Sequence, residues 1–330
     1  MPEVRMLSDA DVRKLLTMKD CIEVIDTTMR TASKRDLLNP LRQIVPLPGD
    51  VTGYLGYMPG WLGDPKVFGA KLISVFPGNH AKGLGSHLGI VIIFETETGQ
   101  PQAIMNGGTV TAIRTAAASG VATRALARED ASTVAILGYG EQAREHISAM
   151  AAVRPVRRVI VWGRDAAKAK AFVEAHANLA PDATFETAAT VEEAVAEADI
   201  ICTTTATKEP ILFGRWVKPG THVNAVGASQ PNVAEVDSDL VAKSRYYTDF
   251  IPSAEAESKQ YHDALEAGVI SEGHILGEVG AVLNGDAPGR QSPEDITFFE
   301  SLGFAAEDLG TASFVLERAR AENVGVPVDF

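Results

Sequence analysis

The segment Val134-Ala135-Ile136-Leu137-Gly138-Tyr139-Gly140-Glu141-Gln142-Ala143 constrains this chain more than any other. An apolar strand runs into a glycine that permits a tight turn. A second glycine lets an anion approach the backbone, and an alanine stands where a third small residue allows close helix–strand contact. The helix opening near Glu141 aims its free amides and positive dipole end at the same point. A glycine pattern alone is weak evidence, and a plain tight turn competes with it. This one lies inside a repeated strand–helix alternation, the context that marks a dinucleotide pyrophosphate loop.

The alternation begins at Ser132. Strands are expected at 133–137, 156–162, 184–187, 199–204, 221–226 and 245–249, with helices at 141–153, 166–177 and 191–196. That order predicts an α/β fold with a Rossmann-type doubly wound parallel sheet. The region before it reads differently. Ser8-Asp9-Ala10-Asp11 has a helix-capping pattern. Met18, Cys21, Ile22, Ile25 and Met29 recur at helical spacing over 18–35. The stretch 41–101 reads as strands and turns, with buried strands at 67–76 and 89–94 and turns at Gly78-Asn79 and Thr98-Gly99. A helix of small residues follows over 111–127 and must pack very closely. The segment 293–320 reads as helical. The chain therefore divides into residues 125–305 as the dinucleotide-binding domain and residues 1–124, rejoined by 306–330, as a discontinuous α+β domain.

The 330 residues suffice for two such domains. A net charge of −13 argues against a general nucleic-acid binder while leaving room for a local basic pocket. Cys21 and Cys202 sit in apolar stretches and read as free buried thiols of a reducing compartment. No signal peptide is visible and the cleanest apolar run, 90–94, is too short for a membrane span, so a cytoplasmic protein is expected. No HExxH, no metal-spaced His/Cys cluster and no GxSxG elbow occurs, so neither a metal nor a serine nucleophile is expected.

The second strand of the alternation ends Val161-Trp162-Gly163-Arg164-Asp165. Gly163 stands where an NAD enzyme usually carries an acid for the ribose, and Arg164 suits a 2′-phosphate. The expected cofactor is NADP(H), with NAD(H) the alternative if Asp165 takes the ribose and Arg164 merely opens a helix. The cofactor-binding set is Gly138, Gly140, Glu141, Gln142, Arg164, Thr203, Val226 and Gly227.

Lys71 lies in a strand apolar on both faces, where burial lowers a lysine pKa into the range useful for proton transfer; a snorkelling edge lysine is the alternative. Arg114, early in the small-residue helix, needs an anionic partner. A substrate carboxylate, a cofactor phosphate or an internal salt bridge would each serve. Arg42, taken alone, reads as a surface arginine. His87 reads as a hydrogen-bonded structural residue ahead of a proton relay.

Taken together, Gly69-Ala70-Lys71, Phe76-Pro77-Gly78-Asn79, Thr98-Gly99-Gln100-Pro101, Thr111-Ala112-Ile113-Arg114-Thr115-Ala116-Ala117, the glycine loop, Asn224-Ala225-Val226-Gly227-Ala228, Gly289-Arg290 and the stretch 298–303 resemble the ornithine cyclodeaminase/mu-crystallin family in content and order. The resemblance implies a homodimer whose discontinuous domain serves substrate binding and dimerisation. It implies that Arg42, Lys71 and Arg114 face the nicotinamide across a cleft, the arginines holding the substrate α-carboxylate and the lysine assisting proton transfer. Family members that cyclise ornithine carry an acid just after the Val-Gly-Ala element, where this chain has Ser229. The chain therefore looks closer to the imine-reducing, mu-crystallin-like branch. The expected activity is NADPH-dependent reduction of an imino acid or ketimine, a cyclic one foremost. An ammonia-eliminating cyclodeaminase and a non-enzymatic NADP(H)-dependent binding protein are the alternatives.

Overall fold

The computed structural model describes residues 3–49, 51, 53–228 and 231–329; Ser229 and Gln230 lie outside the described residues. The chain forms two compact units, Met1–Arg114 with Phe304–Phe330 and Thr115–Gly303.

The first unit is built on an eight-stranded mixed sheet. Its strands are β1 (Glu3–Leu7), β2 (Leu37–Leu38), β3 (Gln43–Pro46), β4 (Tyr54–Leu62), β5 (Val67–Val75), β6 (His87–Phe94), β7 (Pro101–Asn106) and the C-terminal strand Val326–Asp329. The C-terminal strand pairs β1, and the order continues β7, β6, β5, β4, β2, with β3 also on β4. β5 alternates by the two-residue period of a strand: Lys71 and Ile73 are buried, while Leu72 and Ser74 on the opposite face are half-buried. Lys71 is in register with Met58 of β4 and Val91 of β6. The helices Met18–Ser33 and Ala305–Ala321 pack against each other, and the second also covers β4, β5 and β6. Ser8 caps the helix Asp9–Leu15 through a reciprocal capping box with Asp11, as its pattern predicts.

The second unit is a parallel sheet of β8 (Thr133–Leu137), β9 (Arg158–Trp162), β10 (Thr184–Thr187), β11 (Ile200–Thr203), β12 (His222–Ala225), β13 (Arg245–Thr248), β14 (Ile275–Glu278) and β15 (Thr297–Glu300). The order is β10-β9-β8-β11-β12-β15-β13-β14. The winding reverses between β8 and β11, and loops leaving the carboxyl ends of strands beside such a switch point are where doubly wound sheets bind ligands.

Two expectations need correction. The segment 293–320 is not one helix: Thr297–Glu300 is a strand, fully buried between β12 and β13, before the helix Ala305–Ala321. Thr297-Phe298-Phe299-Glu300 is too short to carry a period that separates a central strand from a buried helix. The small-residue helix spans Gly107–Leu126 and so begins at the glycine pair rather than at Thr111. No helix among the described residues is long and apolar enough to cross a membrane.

Candidate active site

In the first unit the chemistry gathers where β5 meets two helices. Lys71 and Arg114 are 2% and 4% exposed. Neither cation can stay charged in that setting without acids beside it. Both acids come from the first turn of Ala305–Ala321, where a helix dipole favours negative charge. Lys71 Nζ lies 2.7 Å from Asp308 Oδ2. Arg114 donates from Nε to Asp308 Oδ1 at 3.0 Å and from Nη1 to Glu307 Oε2 at 2.8 Å. Asp308 thus bridges the two cations. Of the readings left open for Arg114, the internal ion pair is the one its side chain makes here.

Burial is the largest influence on Lys71 and lowers its pKa. Asp308 opposes it, Arg114 and Arg42 reinforce it, and the result is about 8. Arg42, in the loop ahead of β3, is half-buried and close enough for its charge to be felt at Lys71. The fold therefore draws Lys71, Arg114 and Arg42 into one electrostatic neighbourhood. Asp308 is driven up by burial, but Arg114 and Lys71 outweigh that and hold its carboxyl below the usual range. His87 does not join the cluster's buried groups; it is exposed, its Nδ1 2.8 Å from Ser86 Oγ.

Glu307 and Asp308 escape sequence reasoning because two acids opening a helix are ordinarily explained by the dipole alone. The available signal was stoichiometric: two cations expected to be buried require two buried acids.

In the second unit, Gly138 has φ +131°, and a Cβ there would stand 2.6 Å from Thr204 Oγ1. Gly140 caps the helix Glu141–Val153 without a side-chain hydrogen bond, and nothing crowds the place of its missing Cβ. Gln142 Oε1 is buried with no hydrogen-bond partner. An uncapped helix start and an open glycine fit a bound pyrophosphate. The helix is held by His146, whose Nδ1 donates to the Gln142 carbonyl at 2.7 Å and whose Nε2 accepts from Ser119 Oγ at 2.9 Å. Burial pushes that imidazole down to about 4, so it is neutral and structural.

At the end of β9, Arg164 is exposed. The Asp165 carboxylate is engaged as a helix cap, accepting from Lys168 N at 3.1 Å. A Cβ on Gly163 would fall 2.1 Å from Cδ1 of Tyr139. Thr203 ends β11, and Val226 and Gly227 follow β12. Both sets are joined by Glu235, a wholly buried acid that sequence reasoning also missed. Cys21 and Cys202 are buried, and burial pushes the Cys202 thiol up to about 12. No metal-binding cluster occurs among the described residues.

The ornithine cyclodeaminase/mu-crystallin family model matches residues 3–323. The Δ1-pyrroline-2-carboxylate reductase of Bacillus cereus is 34% identical over 329 residues, covering 98% of this chain and 99% of the relative. The ketimine reductase mu-crystallin of Mus musculus is 36% identical over 281 residues, 85% of each chain. The solved structure of Thermococcus litoralis Δ1-pyrroline-2-carboxylate reductase in complex with NADH and L-proline superposes with a TM-score of 0.95 at 35% identity, covering 98% of this chain and 100% of the other. With a family model spanning nearly the whole chain and relatives of this similarity along its length, the chain belongs to the ornithine cyclodeaminase/mu-crystallin family.

Proposed function

We propose that this chain is a nicotinamide-dependent oxidoreductase that reduces the C=N bond of an imino acid, with Lys71 as proton donor. One observation carries the reading. A buried lysine sits 2.7 Å from a buried carboxylate and titrates at about 8, where an ammonium both holds and surrenders its proton near neutral pH. The names of the relatives support the bond type, and the NADH and L-proline of the archaeal structure support the cofactor class and a carboxylate-bearing substrate.

The residues divide the work. Arg42 and Arg114 supply the positive charge that holds the α-carboxylate, with Arg114 oriented by Glu307 and Asp308. Lys71 gives its Nζ proton to the imine nitrogen, so that C=N becomes CH–NH, and takes a replacement proton from solvent. When bound, the nicotinamide supplies the hydride to the carbon that bears the carboxylate. Gly138, Gly140, Glu141 and Gln142 would hold the pyrophosphate, and Thr203, Val226 and Gly227 would shape the loops at the switch point.

We assign NADP(H) as the preferred cofactor. Gly163 offers no acid to the ribose, Asp165 is engaged as a cap, and exposed Arg164 is a cation that suits a 2′-phosphate. A homodimer also belongs to the reading. Val45, Leu55 and Leu88 line up across β3, β4 and β6 through Ser74 of β5. Cross-strand partners share a face, and these three leave that face apolar and exposed.

The test is direct: purified protein, NADPH or NADH, and a panel of Δ1-pyrroline-2-carboxylate, a six-membered cyclic imino acid and linear imino acids. Cofactor oxidation on at least one is expected. Silence on all of them overturns the proposal. Ammonia release from ornithine without net cofactor turnover would move the assignment to cyclodeamination, and tight NADP(H)-dependent ligand binding without turnover to a binding protein.

A further inference from the structure

Glu235 has no solvent exposure, yet its two carboxylate oxygens accept four hydrogen bonds from two separate loops. Oε1 accepts from Thr205 N and Thr205 Oγ1, both at 2.7 Å. Oε2 accepts from Thr203 Oγ1 at 2.6 Å and from Gly227 N at 2.7 Å. One loop leaves β11 and the other leaves β12, adjacent parallel strands whose carboxyl ends border the switch point. The fit leaves no spare room: a Cβ on Gly227 would stand 2.0 Å from the Thr205 carbonyl oxygen and 2.6 Å from Glu235 Oε1.

The acid is itself fixed. Its carbonyl accepts from Ile211 N at 2.9 Å and Leu212 N at 3.0 Å. Its amide donates to Gln260 Oε1 at 3.2 Å, and Gln260 Nε2 donates in turn to the buried Glu300 at 2.9 Å. A core that needed only stability could fill this volume with an apolar side chain. An acid costs desolvation, and here it is retained with every acceptor aimed at the two loops.

We propose that Glu235 is a positioning residue for the dinucleotide. It holds the β11 and β12 loops, and with them Thr203 and Gly227, at a fixed separation before the cofactor arrives. The inference rests on the reading that these switch-point loops receive the cofactor. It goes beyond that reading by naming the group that preorganises them.

The experiment compares the full-length protein with Glu235→Gln and Thr205→Val, titrating NADPH and NADH by fluorescence. In Glu235→Gln, either orientation of the amide sets an NH2 against a backbone N–H that can only donate, Thr205 N or Gly227 N. Loss of one such buried bond raises the Kd for the cofactor by about tenfold or more. Thr205→Val, which removes one hydroxyl and leaves the backbone bond, raises it by about threefold. Steady-state assays then show the cofactor KM rising with little change in the imino-acid KM. Amide exchange at Thr205 and Gly227 accelerates while the β8 amides stay protected. A folded Glu235→Gln with wild-type Kd and wild-type exchange at those two amides overturns the proposal. If Glu235→Gln does not fold, an unchanged Kd in Thr205→Val overturns it. Failure of the wild type to bind either dinucleotide would instead defeat the cofactor reading itself.

Discussion

Lys71 and Asp308 form a contact of 2.7 Å between side chains that are 3% and 0% exposed, so neither group can change its charge without the other registering it. The pair gives the lysine a defined proton. Below about pH 8 the Nζ is charged and can donate; above it the proton is lost. Imine reduction consumes a proton, so kcat/KM in that direction should be flat at neutral pH and fall about tenfold per pH unit above about 8. The reverse oxidation should rise with pH and level off above the same point. Lys71→Met should lower kcat by roughly 10²–10⁴-fold while leaving dinucleotide binding near wild type. A pH–rate profile in both directions, with NADPH titration of the variant, checks all three.

Asp308→Asn removes the charge that raises the Lys71 pKa and leaves Lys71 and Arg114 facing each other inside the protein. The alkaline limb of the reduction profile should therefore move to lower pH. Thermal stability should fall, since breaking a buried ion pair from one side costs about 3–5 kcal/mol. A denaturation melt and a pH–rate profile on the same preparation give both readings. Lower stability with an unmoved limb would show that Asp308 is scaffold only.

Cofactor choice should depend on Tyr139 as well as Arg164. Arg164→Ala should raise the KM for NADPH by about tenfold and leave that for NADH little changed, the loss of a charge-assisted phosphate contact being worth about 1.5–3 kcal/mol. Gly163→Asp alone should gain little toward NADH, because the new side chain would start 2.1 Å from the Tyr139 ring. Gly163→Asp combined with Tyr139→Ala should gain more than the two changes separately, a non-additivity expected of residues in direct contact. Kinetic constants for both cofactors across the wild type, Arg164→Ala, Gly163→Asp, Tyr139→Ala and the double variant decide it.

The apolar row of Val45, Leu55 and Leu88 should bury itself in a second copy. Sedimentation equilibrium should give a dimer for the wild type. Leu55→Asp with Leu88→Asp should weaken association by at least about tenfold, since charges replace fully desolvated apolar contacts. A wild-type protein that sediments as a monomer at micromolar concentration rules the interface out.

Much of this architecture was legible in the sequence because its signals are local. The β8 strand, its turn and the first residues of the helix sit within ten consecutive residues, and the apolar residues on both sides of Lys71 raise burial as one of its two readings. What stayed hidden depends on distant partners. Glu235 lies in a run of loop-like residues, and the threonine hydroxyls it binds are 30 and 32 positions away. Asp308 answers Arg114 from 194 positions along the chain. The strand Thr297–Glu300 was missed because so short a run is equally at home in a helix until its neighbours are known.

The division of the first unit between the two ends of the sequence imposes an order on biosynthesis. Residues 115–303 can collapse on the ribosome as a complete body. Lys71 and Arg114, though translated early, meet the carboxylates of Glu307 and Asp308 only when those residues emerge. Until then the first unit lacks the helix whose two acids meet its buried cations, so an mRNA truncated between codons 304 and 306 should yield a finished second unit attached to a first unit that chaperones must hold open.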